Sequence, residues 1–430
     1  MRKVSSRRKT RCSLSTIGVL ATVTAGALSA QTVERLSFDE AVRRAIASNP
    51  TVQQAAADIL QAEAVALQVR SQSLPTIAAA VATNVIDPIT RFSGSAISPR
   101  TQAVTTADMF LPLVVPARWA EWGHAQDQVL VSQRGADDAR RQIGVATGEA
   151  YLAIIAAQQV LELNERARDT ARAHFEYANQ RFQGGIGSRL NAVRAEQEVS
   201  SDERVVEEAR LLVRRAQETL GVLVAADGPI EVTGEPTFEL PPSTVPDADL
   251  IASRADVRLI QSRVSAAQRR AADSWKEYLP SATALFTPQV LSPAGLFANC
   301  RSWRAAVLFA VPVFDGGQRR GQARERQALV DVARSERTEV ERQAGSQVRT
   351  AREAVAAFER ALAYAQRAAD QANEVVRITN IAFMEGANTN IELIDAQREA
   401  RDAETAVAIA AHGVRRARLE LLAATGRFPQ

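Results

Sequence analysis

Three histidines, two cysteines and 49 acidic side chains are the groups in this 430-residue sequence from which metal binding, nucleophilic attack or acid–base catalysis could be built. His124, His174 and His412 lie far apart, with no His-Glu-x-x-His or cysteine-rich spacing to bring ligands to one ion. No glycine-rich phosphate loop and no nucleophile elbow occurs. Neither catalysis nor a cofactor is therefore expected. One arrangement suits electrostatics instead: Glu392 and Asp395, spaced i, i+3, place two carboxylates on one face of a helix. Glu392 has a second reading, because Thr389-Asn390-Ile391-Glu392 fits the Thr-x-x-Glu capping rule. His174 falls on a stripe of alanines and reads as a packed or water-bonded helix residue.

These groups sit in a chain with an export leader. Arg2, Lys3, Arg7, Arg8, Lys9 and Arg11 make a basic start, followed by an apolar run, Leu14 to Leu28, too short to span a bilayer, and then small residues. Cleavage is expected near Ala27 or Ala30, giving a leader of 1–30; a retained anchor is the alternative. The whole chain carries 52 basic and 49 acidic residues. Removing the six leader bases leaves 46 against 49, a net charge of −3, so nothing points to nucleic acid. Cys12 falls in the leader after Lys9-Thr10-Arg11, unlike a lipid-anchored cysteine, and Cys300 is then alone, without an intramolecular disulfide.

No proline occurs between Pro116 and Pro229, nor between Pro312 and Pro429, and both stretches are rich in Ala, Arg, Glu, Gln and Leu. Glycine interrupts each once, at Gly184-Gly185-Ile186-Gly187 and at Gly386, so each stretch reads as a helical hairpin with a sharp tip. The halves are copies at an offset of 201: Phe182-Gln183-Gly184-Gly185 matches Phe383-Met384-Glu385-Gly386. A heptad stripe of Ala150, Ala153, Ala157, Val160, Asn164, Ala167, Ala171, His174 and Ala178 recurs, shifted, from Ala351 to Thr379. Small residues on a 3.5-residue repeat allow close helix packing and left-handed winding, as in a wall of helices; a two-stranded coiled coil is the other reading. The arm from Ala117 to Phe182 predicts a helix on the order of 100 Å at 1.5 Å per residue. The shorter returning arms, Ser188–Val224 and Thr389–Ala424, are expected to stack end to end with 38–73 and 254–278.

Before each long arm lies a pair of β-like runs, Thr76–Ile86 with Val104–Leu111 and Ser281–Thr287 with Trp303–Val311. Met109 and Leu111 fall on one face, Thr106 and Asp108 on the other; Trp303, Ala305, Val307, Phe309 and Val311 form another apolar face. Transmembrane strands and surface hairpins of a soluble domain both fit such runs. In lipid, four strands cannot close a barrel and no edge is tolerated, so several chains must share one. Three chains give 12 strands above a tube of helices. The organisation expected is a first repeat over 31–228 (strand pair 76–111, hairpin 117–224), a linker over 229–249, and a second repeat over 250–430 (strand pair 281–311, hairpin 317–424). The fold class is mainly α with a small β part.

Over essentially all of the mature chain these residues resemble the TolC-like outer-membrane efflux proteins. The resemblance rests on Leu36-Ser37-Phe38-Asp39-Glu40-Ala41 with Asn49-Pro50, on Leu-Pro before each strand pair, on Val313-Phe314-Asp315-Gly316-Gly317, and on the paired tips. It implies a homotrimer with a shared 12-stranded β-barrel in outer-membrane lipid and an α-barrel tunnel across the periplasm. It implies partners as well, a periplasmic adaptor and an inner-membrane pump. Gly185, Ile186, Gly187 and Ser188, with Gly386, Ala387, Asn388 and Thr389, match the positions where family members meet the adaptor. Glu392 and Asp395 match the acidic residues that ring the tunnel's narrowest point, where threefold symmetry would make cation-attracting rings. The family's closing Tyr, Arg and Asp correspond to Phe383, Asn388 and Asn191, so that charged lock cannot form; Arg194, opposite Asp395 in the repeat, could supply a substitute ion pair. A periplasmic adaptor or a structural coiled coil is the alternative function.

Overall fold

The computed structural model describes residues 34–240, 246–385 and 387–428; the expected leader lies outside them. Strand β1 (Glu34–Leu36) leads into α1 (Phe38–Ser48), whose start is closed by the Ser37 N–H donating to Glu40 Oε2 at 3.0 Å. Pro50 opens α2 (Pro50–Ser71), capped by Asn49, whose Oδ1 accepts the Thr51 N–H at 2.9 Å. Strand β2 (Thr76–Val85), a small hairpin of β3 (Arg91–Phe92) and β4 (Ser95–Ala96), and β5 (Thr101–Val114) come next. The first helical hairpin is α3 (Pro116–Gln183) and α4 (Arg189–Leu223). After β6 (Ile230–Val232), the second repeat supplies α5 (Asp247–Ser253), α6 (Ala255–Ala272), a 3-10 turn over Asp273–Tyr278, β7 (Ser281–Ser292), β8 (Arg301–Ala310), α7 (Gln318–Met384) and α8 (Asn390–Ala424). The 68 residues of α3 and 67 of α7 are each about 100 Å long at 1.5 Å per residue.

Both repeats join their short and returning helices in the same way. Asn49 Nδ2 donates to the Leu223 carbonyl at the end of α4, at 2.9 Å, and Arg254 Nη1 donates to the Ala424 carbonyl at the end of α8, also at 2.9 Å. A last-turn carbonyl without an intrahelical partner thus gains a donor from the residue that starts the stacked helix. The expected end-to-end stacking is present. The linker adds a contact that local patterning does not contain, since β6 pairs in parallel with β1, Glu34 against Ile230. Above this strand pair Tyr151 is fully buried, its hydroxyl donating to Thr233 O at 2.8 Å, among Leu36, Ile154, Leu220, Val224 and Leu419.

The sheet is four-stranded and antiparallel, in the order β2-β5-β7-β8, with β2 and β8 as open edges. Strands β5 and β7 run longer than expected. Pro288 lies within β7 although proline has no N–H for the ladder. The chain continues through it: the β5 ladder skips from Thr106↔Gln289 to Met109↔Phe286, and the Thr287 hydroxyl donates instead to Asp108 Oδ1 at 2.9 Å. The register sorts the faces. Ile77↔Met109↔Phe286↔Ala305 and Val81↔Thr105↔Val290 line one side with Trp303, Val307 and Phe309, while Asp108, Thr106, Thr287, Gln289 and Arg304 lie on the other. Among the described residues no helix is long and apolar enough to cross a membrane.

Candidate functional site at the helical tips

Glycine shapes the first tip by necessity. Gly185 adopts φ +76°, and a Cβ on Gly187 would lie 2.8 Å from Phe182 N and 2.9 Å from Arg181 Cβ. The Ile186 N–H returns to Arg181 O at 3.0 Å, leaving its side chain exposed, and Ser188 Oγ accepts the Leu190 N–H at 3.2 Å to start α4. At the second tip the Ala387 N–H donates to Ala382 O at 2.8 Å, and the Thr389 N–H to Glu392 Oε2 at 2.9 Å. Gly386 lies outside the described residues.

The two hairpins are tied together just behind the tips. His174 Nε2 hydrogen-bonds to Asn390 Oδ1, and Asn390 Nδ2 donates to the Asn191 carbonyl at 3.3 Å, so α3, α8 and α4 share one buried amide. Because the amide N–H₂ faces Asn191, its oxygen faces the ring, which fixes the proton on Nε2. Phe383 packs 5.6 Å from the His174 ring and 6.2 Å from Tyr177, and the Arg181 guanidinium lies over the Tyr177 ring at 5.7 Å. Further up, two arginines of α8 reach two buried acids of α4: Arg398 grips Glu198 with Nε at 2.8 Å and with Nη2, and Arg401 Nη1 meets Asp202 at 2.6 Å. Burial pushes the Asp202 carboxyl above its ordinary range, against the pull of Arg401, and the bond to Glu198 raises Arg398.

The residues singled out in the sequence fall around this tie. Asn191 contributes its carbonyl, Phe383 its ring, and Asn388 follows the second tip half-buried, its N–H directed to Ala382 O at 3.3 Å. Glu392 and Asp395 are both exposed; Glu392 closes the capping box, and Asp395 lends its charge to Arg398. Arg194 is exposed, and no ion pair joins it to Asp395 within the protomer. Sequence reasoning missed the cross-hairpin partners of His174 and the Glu198–Arg398 and Asp202–Arg401 pairs. A signal existed: Glu198 and Asp202 interrupt the buried small-residue face of α4, roughly one repeat length before arginines on α8. Among the described residues no three His, Cys, Asp or Glu side chains converge to hold a metal.

Comparison with known proteins bears on this architecture. The sequence model of the outer membrane efflux protein family matches residues 41–226 and 248–427. Nodulation protein T of Rhizobium leguminosarum bv. trifolii is 24% identical over 257 residues, covering 56% of this chain and 54% of that protein. Outer membrane protein OprJ of Pseudomonas aeruginosa is 24% identical over 288 residues, covering 64% and 59%. The chain thus spans little more than half the length of these curated relatives. The Campylobacter jejuni CmeC outer membrane channel superposes with a TM-score of 0.79 over 90% of this chain and 85% of that one, at 15% identity, a likeness of fold.

Proposed function

The chain belongs to the outer membrane efflux protein family, and from that premise we propose that it is one subunit of a trimeric exit duct in the outer membrane. In this reading a periplasmic adaptor and an inner-membrane pump deliver the cargo, and the duct conducts it passively without chemistry of its own. One observation carries the reading: a four-stranded sheet, apolar on one face and open at both edges, stands on two helical hairpins each about 100 Å long. A bilayer admits no unpaired strand edge, so β2 and β8 must pair with other copies, and three copies close a barrel of ordinary transmembrane size.

The tips are then the periplasmic gate. Glu392 and Asp395 would form acidic rings around the threefold axis, with Asp395 the freer of the two because Glu392 already caps its helix. Phe383, Asn191 and Asn388 stand where the family's charged lock would be, and Arg194 remains available to Asp395 of a neighbouring copy. The turns Gly185–Ser188 and Gly386–Thr389 would meet the adaptor. Membrane fractionation tests the placement. The protein is expected to stay with outer membranes through a carbonate wash, whereas release as a soluble species would return it to the adaptor or structural coiled-coil class.

A further inference from the structure

Resting on the outer-membrane duct reading, we propose that the apolar face of the sheet binds a phosphorylated, multiply acylated glycolipid of the outer leaflet, with Arg301 holding a phosphate beside a groove that takes an acyl chain. Strand β8 places the charge. Its outward positions run Arg301, Trp303, Ala305, Val307 and Phe309, so one arginine shares the lipid-facing side with four apolar residues. At about 3.4 Å per residue and a tilt near 40°, the strand from Arg301 to Ala310 rises roughly 23 Å, close to the ~25 Å apolar band of a transmembrane barrel. Helices α3 and α7 leave the sheet at its other end, beyond Val114 and Ala310, so Arg301 stands at the outer-leaflet rim, where an outward arginine costs little.

The register makes the groove. In the row just inside the rim Ala79 pairs with Ala107, and Pro288 with Trp303. The flanking rows are bulkier, with Val81, Val290 and Arg301 on the outer side and Ile77, Met109 and Phe286 on the inner. A trough of about 450 Å³ results, floored by the two alanines, walled by Phe286 and Trp303 with ring centroids 6.0 Å apart, and edged by Arg301. That volume falls within the roughly 300–1,000 Å³ of ligand sites. In a shared barrel neighbouring copies pair with β2 and β8 through backbone groups, which leaves these outward side chains facing lipid.

The charge above the groove is unanswered within the chain. Among the described residues neither the Arg91 nor the Arg301 side chain has a hydrogen bond or ion pair, and Arg100 meets Asp87 only at 3.6 Å. Asp87 is the single acid in the connecting segments 86–100 and 293–301, against the three arginines Arg91, Arg100 and Arg301. These segments brace each other: the Leu296 N–H donates to Ile97 O at 2.9 Å, Gln102 Nε2 donates to Pro293 O at 2.9 Å, and the exposed Phe92 and Phe297 rings lie 5.8 Å apart. Fixed, net-positive loops over an apolar trough match a lipid with phosphate on its sugar and several chains below it. An arginine fork donates to two phosphate oxygens at once, whereas a neutral lipid would leave Arg301 unpaired at the rim.

The test uses the full-length protein, delipidated in mild detergent and read by native mass spectrometry with added bisphosphorylated lipid A. Arg301→Ala should weaken binding about tenfold or more, and Arg301→Lys less, because a point charge replaces the fork. Ala79→Trp, which fills the trough without changing charge, should weaken it as well, whereas Arg304→Ala on the polar face of the same strand should not. Dephosphorylated lipid A should bind poorly to the wild type. The oligomer mass in each spectrum separates a binding defect from misfolding. Unchanged binding in Arg301→Ala, or equal binding of phosphatidylglycerol by the wild type, would overturn the glycolipid site and leave the duct standing. A wild-type protein that is monomeric and binds no lipid would overturn both.

Discussion

Removing His174 is the most informative single change at the tips. In His174→Ala the Asn390 carbonyl oxygen loses its donor while the residue stays buried at 3% exposure, behind Phe383. Leaving a buried amide acceptor unpaired costs about 1–3 kcal/mol. If separation of the hairpins opens the tip, that cost falls on the closed form alone and raises the open-to-closed ratio about 5- to 150-fold. Single-channel recording in planar bilayers reads this as open probability. His174→Gln, which keeps an N–H donor, should stay near wild type, and Asn390→Ala should open the tip as well. In the double variant the two effects should overlap, because both single changes break the same His174–Asn390 bond. An unchanged open probability in His174→Ala, or effects that add in full, would refute a shared bond as the closing element.

The remaining predictions concern charge and contact. Arg401→Ala strips the partner from buried Asp202 and should cost on the order of 3 kcal/mol, read as a lower Tm. Because burial already raises the Asp202 pKa, this group contributes most stability below the ordinary carboxyl range and loses it as pH rises through the raised value. The Tm deficit of Arg401→Ala should therefore be smaller at pH 5 than at pH 8, and a deficit equal at both would contradict the sign. Asp395→Ala should reduce cation selectivity measured as reversal potential, whereas Glu392→Ala should mainly weaken the start of α8, by about 0.5–2 kcal/mol. Equal selectivity losses would show that Glu392 faces the pore as much as Asp395 does. Ile186→Asp, at an exposed tip position, should lower adaptor co-purification without changing trimer mass; unchanged co-purification would move the adaptor contact elsewhere.

The long elements were legible because their punctuation is local. Pro116 and the glycines at 184–187 mark the ends of α3 through backbone sterics alone, and the 201-residue repeat fixes the second hairpin from the first. The parallel pairing of β1 with β6 was not legible, since three-residue strands nearly 200 positions apart leave no periodicity. The extension of β7 through Pro288 was not legible either, since the hydrogen bond of Thr287 to Asp108 beside it is a tertiary contact invisible in local patterning. At the tip the glycine turns and the Glu392 cap followed from short motifs. The partner of His174 lies 216 residues away, and only the packed hairpins bring it close.

Conductance of the purified protein in planar bilayers, with its mass in detergent measured on the same sample, tests the central claim most directly. The account predicts a trimer forming cation-selective pores whose selectivity falls in Asp395→Ala. An elongated soluble species without pore activity would contradict it.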